Sequence, residues 1–298
     1  MVGNPIIKKY LAIGIILLFV GVTIAPTIAQ NTEKSQSTSR GNWLYVGGSG
    51  PGNYTKIQEA INDSNDGDTI FVYDDNSPYK EKIIIDKSIV LLGENKDTTI
   101  IESNGTIVFF TASKVQISSF TIQHSGKGSS TGIKASTSDN IISNNIIQEH
   151  FYGIFLFGDN NTIYGNFIIN NEEGIRLDSI NIITSINNTI YRNEIAYSKI
   201  NSISLDLSYS NKIYENNFKR SISMITHIWW IYDLVNYIKH PSERNQWYNN
   251  YWDIPRLSPK LIPGRLFWPL GDYFALIFPW CQFDLHPSLK PYDIPGMS

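Results

Sequence analysis

Apolar and polar residues alternate over short distances along residues 131–218, and one eight-residue pattern occurs there four times. It reads Asn-x-Ile-x-x-Asn-x-apolar, and its first positions are Asn140, Asn161, Asn188 and Asn211. These starts lie 21, 27 and 23 residues apart. A shorter pattern, Gly or Ser followed by apolar residues two apart, precedes each one at Gly132, Gly153, Gly174 and Ser202. Repeats of this length predict a solenoid.

The third and eighth positions of the pattern are apolar in every repeat. Successive side chains of a strand point to opposite faces, so both positions can face one interior. The third position holds Ile142, Ile163, Ile190 and Ile213, and the eighth holds Ile147, Ile168, Ile195 and Phe218. The seventh position is mixed, which predicts that it faces solvent, and it holds Ile146, Phe167, Glu194 and Asn217. We therefore predict stacked β-strands.

The sixth position is always Asn, at Asn145, Asn166, Asn193 and Asn216. Asn tolerates the left-handed conformation that turns a corner, and stacked amides can hydrogen-bond from coil to coil. We predict an internal asparagine ladder at a turn of a parallel β-helix. A leucine-rich repeat has a similar period and also uses Asn, but these repeats contain no helix-length segment with 3.6-residue periodicity.

The two ends of the chain differ from the repeats. Residues 1–29 have a basic start, an apolar run and small residues, which is typical of a cleaved export signal. The alternative is an uncleaved membrane anchor, because residues 6–28 are nearly long enough to span a bilayer. Residues 30–41 are polar and predict a linker. We assign residues 42–220 to the β-helix and residues 221–298, which are rich in Trp and Pro, to a C-terminal cap.

Charge and cysteine content exclude some classes of partner. The net charge is −3, and cleavage after residue 29 removes two lysines and no acid, which makes it −5. No basic cluster remains, so we expect no nucleic-acid partner. The single cysteine, Cys281, cannot form an internal disulfide. About 270 mature residues suffice for one solenoid domain that is stabilised by its own core.

The segment before the repeats predicts a cap for the open end of the solenoid. Thr55 and Gln58 match a capping box, and Ile57, Ala60 and Ile61 then share one helical face. Strands are predicted within residues 67–73, 82–86, 88–92 and 99–101. A short amphipathic helix can cover the apolar end of the first coil.

This opening segment resembles that of pectin-lyase-like right-handed β-helix proteins, on residues 54–61, 67–72 and 88–94. The Asn patterns resemble the NosD-type repeats of that superfamily, which are common in archaeal surface proteins, and residues 249–253 and 283–293 resemble their closing segment. The resemblance implies an all-β, right-handed parallel β-helix solenoid with a short N-terminal capping helix and a Trp- and Pro-rich C-terminal cap. It does not define an activity, because one fold supports many functions. We leave the structure of residues 222–238 open, and residues 266–280 are too short and too interrupted to span a membrane.

A row of aromatic residues is the first candidate site. The fourth position of the pattern holds Ser143, Tyr164, Tyr191 and Tyr214, so three tyrosines are predicted to lie on one outer face. Tyrosine rings suit the apolar faces of sugars, and the hydroxyl can hydrogen-bond. The alternative is structural, since aromatic residues favour strands and pair well with their neighbours.

A group of charged residues is the second candidate. Two outer columns follow the shorter pattern, one with Ser136, Phe157, Asp178 and Asp206, and one with Lys134, Phe155, Arg176 and Ser204. We expect Phe155 and Phe157 to be exposed and to bind ligand. Asp178 and Asp206 on adjacent coils fit the short carboxylate separation of a retaining glycosidase, and in a lyase Arg176 would act as a base or neutralise charge. Solvated surface charge is the alternative.

The functional prediction is a secreted or cell-surface β-helix that binds extracellular polysaccharide or a surface glycoprotein without catalysis. A polysaccharide lyase or glycoside hydrolase is the alternative, with Ca²⁺ as a cofactor only for the lyase. No pair of the five histidines has a ligand spacing, so we predict no metal site. Membrane contact is expected only through an uncleaved N-terminus. Five sequons permit glycosylation, at Asn53, Asn62, Asn104, Asn160 and Asn187.

Overall fold

The computed structural model describes residues 41–126, 128–178, 185–206, 208–220, 225–228, 244–269 and 275–295. The predicted export signal, almost all of the linker, most of the insertion at residues 179–187 and most of residues 222–238 lie outside the described residues.

Three sets of parallel strands, which we call sheets A, B and C, run along the solenoid, and each central coil contributes one strand to each. Sheet A contains β1 (Trp43–Val46), β2 (Thr69–Val72), β4 (Val90–Gly93), β7 (Gln116–Ser118), β10 (Ile141–Ser143), β13 (Thr162–Tyr164), β16 (Thr189–Tyr191), β19 (Lys212–Tyr214) and β22 (Gln246–Tyr248). Sheet B contains β5 (Ile100–Ser103), β8 (Thr121–His124), β11 (Ile146–Gln148), β14 (Phe167–Ile169), β17 (Glu194–Ala196), β20 (Asn217–Lys219) and β23 (Tyr251–Trp252). Sheet C contains β3 (Ile83–Ile85), β6 (Thr106–Phe110), β9 (Thr131–Ala135), β12 (Tyr152–Leu156), β15 (Glu173–Leu177), β18 (Asn201–Asp206) and β21 (Ile225–Ile228).

The predicted interior columns are confirmed, and the fold is an all-β right-handed parallel β-helix. Ile142, Ile163 and Ile190 are direct neighbours across the strands of sheet A, and all three are fully buried. The eighth-position column is equally buried in sheet B. This burial of apolar side chains is the main stabilising contribution to the solenoid. The glycine of the shorter pattern has a steric role, because a Cβ on Gly153 would lie 2.6 Å from the carbonyl oxygen of Gly174 on the next coil.

The predicted asparagine ladder is present and fully buried. The backbone N–H and the side-chain amide of Asn166 both donate to Oδ1 of Asn193, at 3.0 and 2.9 Å. Asn193 donates in the same way to Asn216, and the series continues to Asn250. Asp284 Oδ2 ends the ladder by accepting both N–H groups of Asn250, at 3.0 and 3.1 Å. The buried amides are thus satisfied from coil to coil.

The expected left-handed conformation of the ladder residues themselves is wrong. The fifth position adopts it instead, with φ of 53° to 65° at residues such as Asn144, Gly165 and Glu215. The left-handed residue of the corner therefore lies one position earlier, and the side chain of the sixth residue is buried inside the coil. A second asparagine column, at the first position, is also buried and hydrogen-bonded between coils, and it runs through Asn140, Asn161, Asn188, Asn211 and Asn245.

The seventh-position column is less exposed than its mixed composition predicts. Glu194 is 8% exposed and Asn217 is fully buried. Residues 286–295, which we call the C-terminal strap, cross this face of sheet B. The Asn217 amide donates to the carbonyl oxygen of Tyr292 and accepts from its N–H, both at 2.8 Å. Lys96 Nζ donates to the carbonyl oxygen of Pro295 at 2.9 Å. At the other end of the strap, the N–H of Asn249 donates to the carbonyl oxygen of His286 at 2.9 Å.

Helix α1 (Ile57–Asp63) lies where the sequence predicts it, with Ile57, Ala60 and Ile61 buried. The predicted capping box is wrong, because the helix has no side-chain cap from its own N-terminal residues. Glu81 provides the cap instead, and its two carboxylate oxygens accept from the N–H groups of Ile57 and Gln58 at 2.9 and 3.1 Å. A carboxylate at a helix N-terminus satisfies free N–H groups and interacts favourably with the helix dipole.

Parallel pairing continues past residue 220, the predicted end of the β-helix. β22 pairs with β19 and β23 pairs with β20, so a further coil follows. Two longer antiparallel strands, β24 (Lys260–Pro269) and β25 (Ala275–Asp284), then connect sheets C and A. Among the described residues, no helix has the length and apolar character needed to cross a bilayer.

Candidate functional site

The outer face of sheet A carries a continuous row of stacked tyrosines. Adjacent ring centroids from Tyr164 to Tyr191 and Tyr214 lie 5.2 Å apart, and Tyr248 continues the row at 4.9 Å. The ring planes are inclined by only 14°, 7° and 3°. We call these four residues the tyrosine ladder. The coil spacing of about 4.8 Å between parallel strands imposes this separation.

Stacking within the ladder changes how it can contact a ligand. Each inner ring has a neighbour on both faces, so a sugar cannot stack on the faces of Tyr191 or Tyr214 as the sequence suggested. Their outer edges and hydroxyl groups remain at the surface, since these residues are half-buried. Burial raises the pKa of Tyr191, and Tyr164 and Tyr214 raise it further. The hydroxyl is therefore protonated at neutral pH and can both donate and accept.

The first ring of the ladder has one face without an aromatic neighbour. Ser143 precedes Tyr164 in the column, Ser118 precedes Ser143, and Leu92 comes before both. We call Ser118 and Ser143, the two short side chains between Leu92 and the Tyr164 ring, the serine notch. Ser143 is itself only 8% exposed, so this side of the Tyr164 ring borders a largely covered residue. Tyr164 and Tyr248, the two terminal rings, each have one face that is not stacked on another ladder tyrosine, and for Tyr164 that face lies on the side of the serine notch.

Polar residues flank the tyrosine ladder on both sides. The second position of the pattern contributes the outer column Thr162, Thr189, Lys212 and Gln246. On the other side, Arg192 Nε donates to Glu215 Oε2 at 2.8 Å, and Arg192 is exposed. The face thus combines fixed aromatic edges with hydrogen-bonding groups of both kinds.

The two phenylalanines proposed as ligand contacts are not both exposed. Phe157 is 6% exposed, and its ring lies 4.3 Å from that of Phe155 between centroids. Phe155 is half-buried and also stacks on Tyr152 at 4.8 Å. The expected exposure of Phe157 is wrong, because neighbouring aromatic rings cover it. Phe155 retains partial access to the surface.

Arg176, Asp178 and Asp206 are brought together on the outer face of sheet C. Arg176 Nη2 donates to Oδ2 of Asp178 at 3.1 Å and to Oδ2 of Asp206 at 2.5 Å. Glu173 lies 3.7 Å from the same guanidinium, and Asp206 is only 4% exposed. Asp178 and Asp206 thus share one nitrogen of Arg176, which brings the two carboxylates close together on adjacent coils.

The same contacts do not suit either predicted reaction. A pair of glycosidase carboxylates must flank the scissile bond, but here a guanidinium nitrogen lies between them. Burial lowers the pKa of Arg176, but Asp206, Asp178 and Glu173 together raise it more, so its pKa lies above the ordinary value. Arg176 therefore stays protonated and cannot serve as the base of a lyase.

Two histidines that are distant in sequence are neighbours in the structure. The ring centroids of His124 and His150 lie 6.3 Å apart on consecutive coils. His150 is 2% exposed, and burial lowers its pKa to about 4. It lines a surface cleft of about 660 Å³ together with Glu149, Phe151, Glu172, Tyr197 and Lys199. Within the described parts of the chain, no group of three or more His, Cys, Asp or Glu residues could hold a metal ion.

Comparison with known families agrees with this architecture. Residues 105–223 match the family model for a right handed beta helix region. The match covers less than half of the 298 residues and includes the coils that carry Tyr164, Tyr191 and Tyr214. The chain is thus a repeat protein of the right-handed parallel β-helix class. No curated protein matches it.

Proposed function

We propose that this protein is an exported, non-catalytic β-helix protein that binds glycans through the outer face of sheet A. The tyrosine ladder is the observation that carries the proposal. Binding surfaces favour tyrosine because it offers a large amphipathic contact at a low cost in conformational entropy. In this ladder the rings are already fixed by their neighbours, so even less freedom is lost when a ligand binds.

The dimensions of the face favour an extended chain of sugars over a single sugar. The four hydroxyl groups recur once per coil along the solenoid axis, and Thr162, Thr189 and Lys212 run beside them. A polysaccharide that lies along the axis can repeat the same contact on successive coils. Its terminal contact with the Tyr164 ring in the serine notch then adds an apolar stacking interaction.

The location at the cell surface rests on sequence features. The basic and apolar pattern of residues 1–29 is typical of an export signal. The Asn patterns resemble NosD-type repeats of archaeal surface proteins, which favours the same location. The ligand can therefore be a free extracellular polysaccharide or the glycan of a surface glycoprotein. Four of the five sequon asparagines are exposed, namely Asn62, Asn104, Asn160 and Asn187, so a host with the pathway could glycosylate them.

Cleavage of a polysaccharide, as a lyase or a glycoside hydrolase, is the second function considered. Its support is the convergence of Asp178 and Asp206 on one face of sheet C. Its weakness is Arg176, which binds both carboxylates and fills the space that a glycosidic bond must enter. We therefore favour binding.

A polysaccharide array, scored for retention and for new reducing or unsaturated ends, separates the two functions. We expect the purified protein to be retained by at least one polysaccharide without releasing products. Cleavage that disappears in both Asp178→Asn and Asp206→Asn would instead establish the enzyme. A protein that neither retains nor cleaves any polysaccharide on the array would contradict both functions.

A further inference from the structure

The hydrogen bonds of His124 and His150 define which ring nitrogen carries the proton. His124 Nδ1 lies 3.3 Å from the carbonyl oxygen of Ser103, and His150 Nε2 lies 3.1 Å from that of Ile122. A carbonyl oxygen only accepts, so each of these nitrogens must be the N–H donor. In a neutral imidazole the other nitrogen then carries a lone pair. These are Nε2 of His124 and Nδ1 of His150.

Both lone-pair nitrogens are buried and have no hydrogen-bond partner among the described residues. A buried acceptor without a donor costs about 1–3 kcal/mol. No described residue therefore satisfies either nitrogen, and a bound ion or molecule could satisfy both.

We propose that His124 and His150 together bind a divalent transition-metal ion that prefers imidazole nitrogen, such as zinc. A metal-binding histidine characteristically donates its second ring N–H to a backbone carbonyl or a carboxylate, and both histidines already do so. Zn–N bonds measure about 2.0–2.1 Å, so two imidazoles on one ion keep their centroids within roughly 6.4 Å. This limit is reached only when the ion lies on the line between the two nitrogens, and the observed 6.3 Å lies just inside it.

The surroundings of the pair fit a site that retains open coordination positions. Tetrahedral coordination brings the two centroids about 1 Å closer, a displacement available to His124 because it is only half-buried. His150 also lines the cleft of about 660 Å³, where Glu149 adds negative charge and Glu172 forms an ion pair with Lys199. Water, or a carboxylate group of a ligand in this cleft, can complete the coordination. The competing explanation is an ordered water molecule between the two nitrogens.

Two substitutions remove the imidazoles with little change to the coil. His150→Asn introduces the residue that occupies the same position one coil later, since Asn171 donates to the carbonyl oxygen of Ile147 as His150 does to that of Ile122. His124→Gln retains a polar side chain at the surface. His286→Asn is the matched control, because His286 is exposed and lies in the C-terminal strap. Circular dichroism and thermal unfolding in EDTA identify any variant that fails to fold.

Equilibrium dialysis of the purified full chain against Zn²⁺, with metal content measured afterwards, tests the site. We expect saturable binding that weakens at least about tenfold in His124→Gln and in His150→Asn but not in His286→Asn. Zn²⁺ should also raise the unfolding temperature of the wild type and not that of the double variant. Mg²⁺ should have no effect. Absence of Zn²⁺ binding, or unchanged binding in the double variant, would overturn the proposal and favour the water molecule.

Discussion

The ring of Tyr164 stacks on the ring of Tyr191 at 5.2 Å between centroids, and this contact decides how the ladder can meet a ligand. Because the rings cover one another, the ladder presents edges and hydroxyl groups along its length, and the Tyr164 ring keeps one face without a stacked tyrosine on the side of the serine notch. Ligand binding should therefore depend on the terminal ring of Tyr164 as well as on the row of hydroxyl groups.

The end of the ladder should matter more than its middle for an apolar sugar contact. We expect Tyr164→Ala to weaken retention of a bound polysaccharide by about 1–2 kcal/mol, because it removes the open ring face. Tyr214→Phe keeps the stacking and removes one hydroxyl, so its effect should be below about 1 kcal/mol. Binding titrations on the same polysaccharide compare the two. Equal losses would show that the hydroxyl row, and not the ring face, dominates binding.

The asparagine ladder should be essential for stability. Asn193 donates to the carbonyl oxygens of Ile163 and Tyr191 and to Oδ1 of Asn216, and it accepts from Asn166. Asn193→Ala leaves several buried groups unsatisfied and should lower the free energy of unfolding by at least about 3 kcal/mol.

Asn104 provides the matched control for this loss, because it is exposed. Asn104→Ala should change stability by less than about 0.5 kcal/mol. Urea unfolding of both variants measures the difference. A loss of under 1 kcal/mol in Asn193→Ala would mean that the amides can be replaced by water.

Helix α1 should depend on Glu81 and not on Thr55. Removing the carboxylate by Glu81→Ala frees the N–H groups of Ile57 and Gln58 and should cost about 1 kcal/mol. Amide hydrogen exchange of the first helical turn should accelerate in this variant. Thr55→Ala should leave the exchange rate unchanged. Faster exchange in Thr55→Ala and not in Glu81→Ala would show that Thr55, and not Glu81, caps the helix.

Tyr79 should make stability fall at alkaline pH. The residue is 3% exposed, its hydroxyl donates to the carbonyl oxygen of Tyr73 at 2.6 Å, and burial raises its pKa to about 12. Between pH 10 and 12 the unfolded chain releases this proton while the folded chain keeps it, so the free energy of unfolding decreases as pH rises.

Tyr79→Phe isolates this contribution from the other titrating groups. The variant lacks the hydrogen bond and should be about 1 kcal/mol less stable than the wild type below pH 10. The difference in the free energy of unfolding between the two proteins should become smaller as pH approaches 12, because only the wild type has the Tyr79 hydroxyl proton to lose. Urea unfolding between pH 10 and 12 measures this difference. A difference that stays constant with pH would show that the Tyr79 hydroxyl has the same pKa in the folded and the unfolded chain.

The sequence predicts those features that repeat with the coil. Ile163 and Asn166 are identifiable because every repeat has the same residue types at the same offsets. The four sequence repeats do not include Tyr248, although residues 245–250 follow the same pattern. Trp247 replaces the inner Ile there, and 34 residues separate Asn211 from Asn245. The two asparagines of the pattern are present at Asn245 and Asn250, but the longer spacing makes this repeat difficult to recognise in the sequence.

Contacts between non-equivalent segments could not be predicted in the same way. Glu81 reaches Ile57 from 24 residues away, and Asn217 meets Tyr292 from 75 residues away. Neither spacing is a period of the repeat. His124 and His150 have no ligand spacing in the sequence, because ligand spacings within one helix or turn are short. In a solenoid, residues about one coil apart are direct neighbours.

The most direct test is a titration of the polysaccharide that the wild type retains best. The triple variant Tyr164→Ala, Tyr191→Ala and Tyr214→Ala should bind it more weakly by a few kcal/mol at most while keeping the circular dichroism spectrum of the wild type. Tyr197→Ala, an exposed tyrosine outside the ladder, should bind as the wild type does. Unchanged affinity in the folded triple variant would contradict glycan binding through the tyrosine ladder.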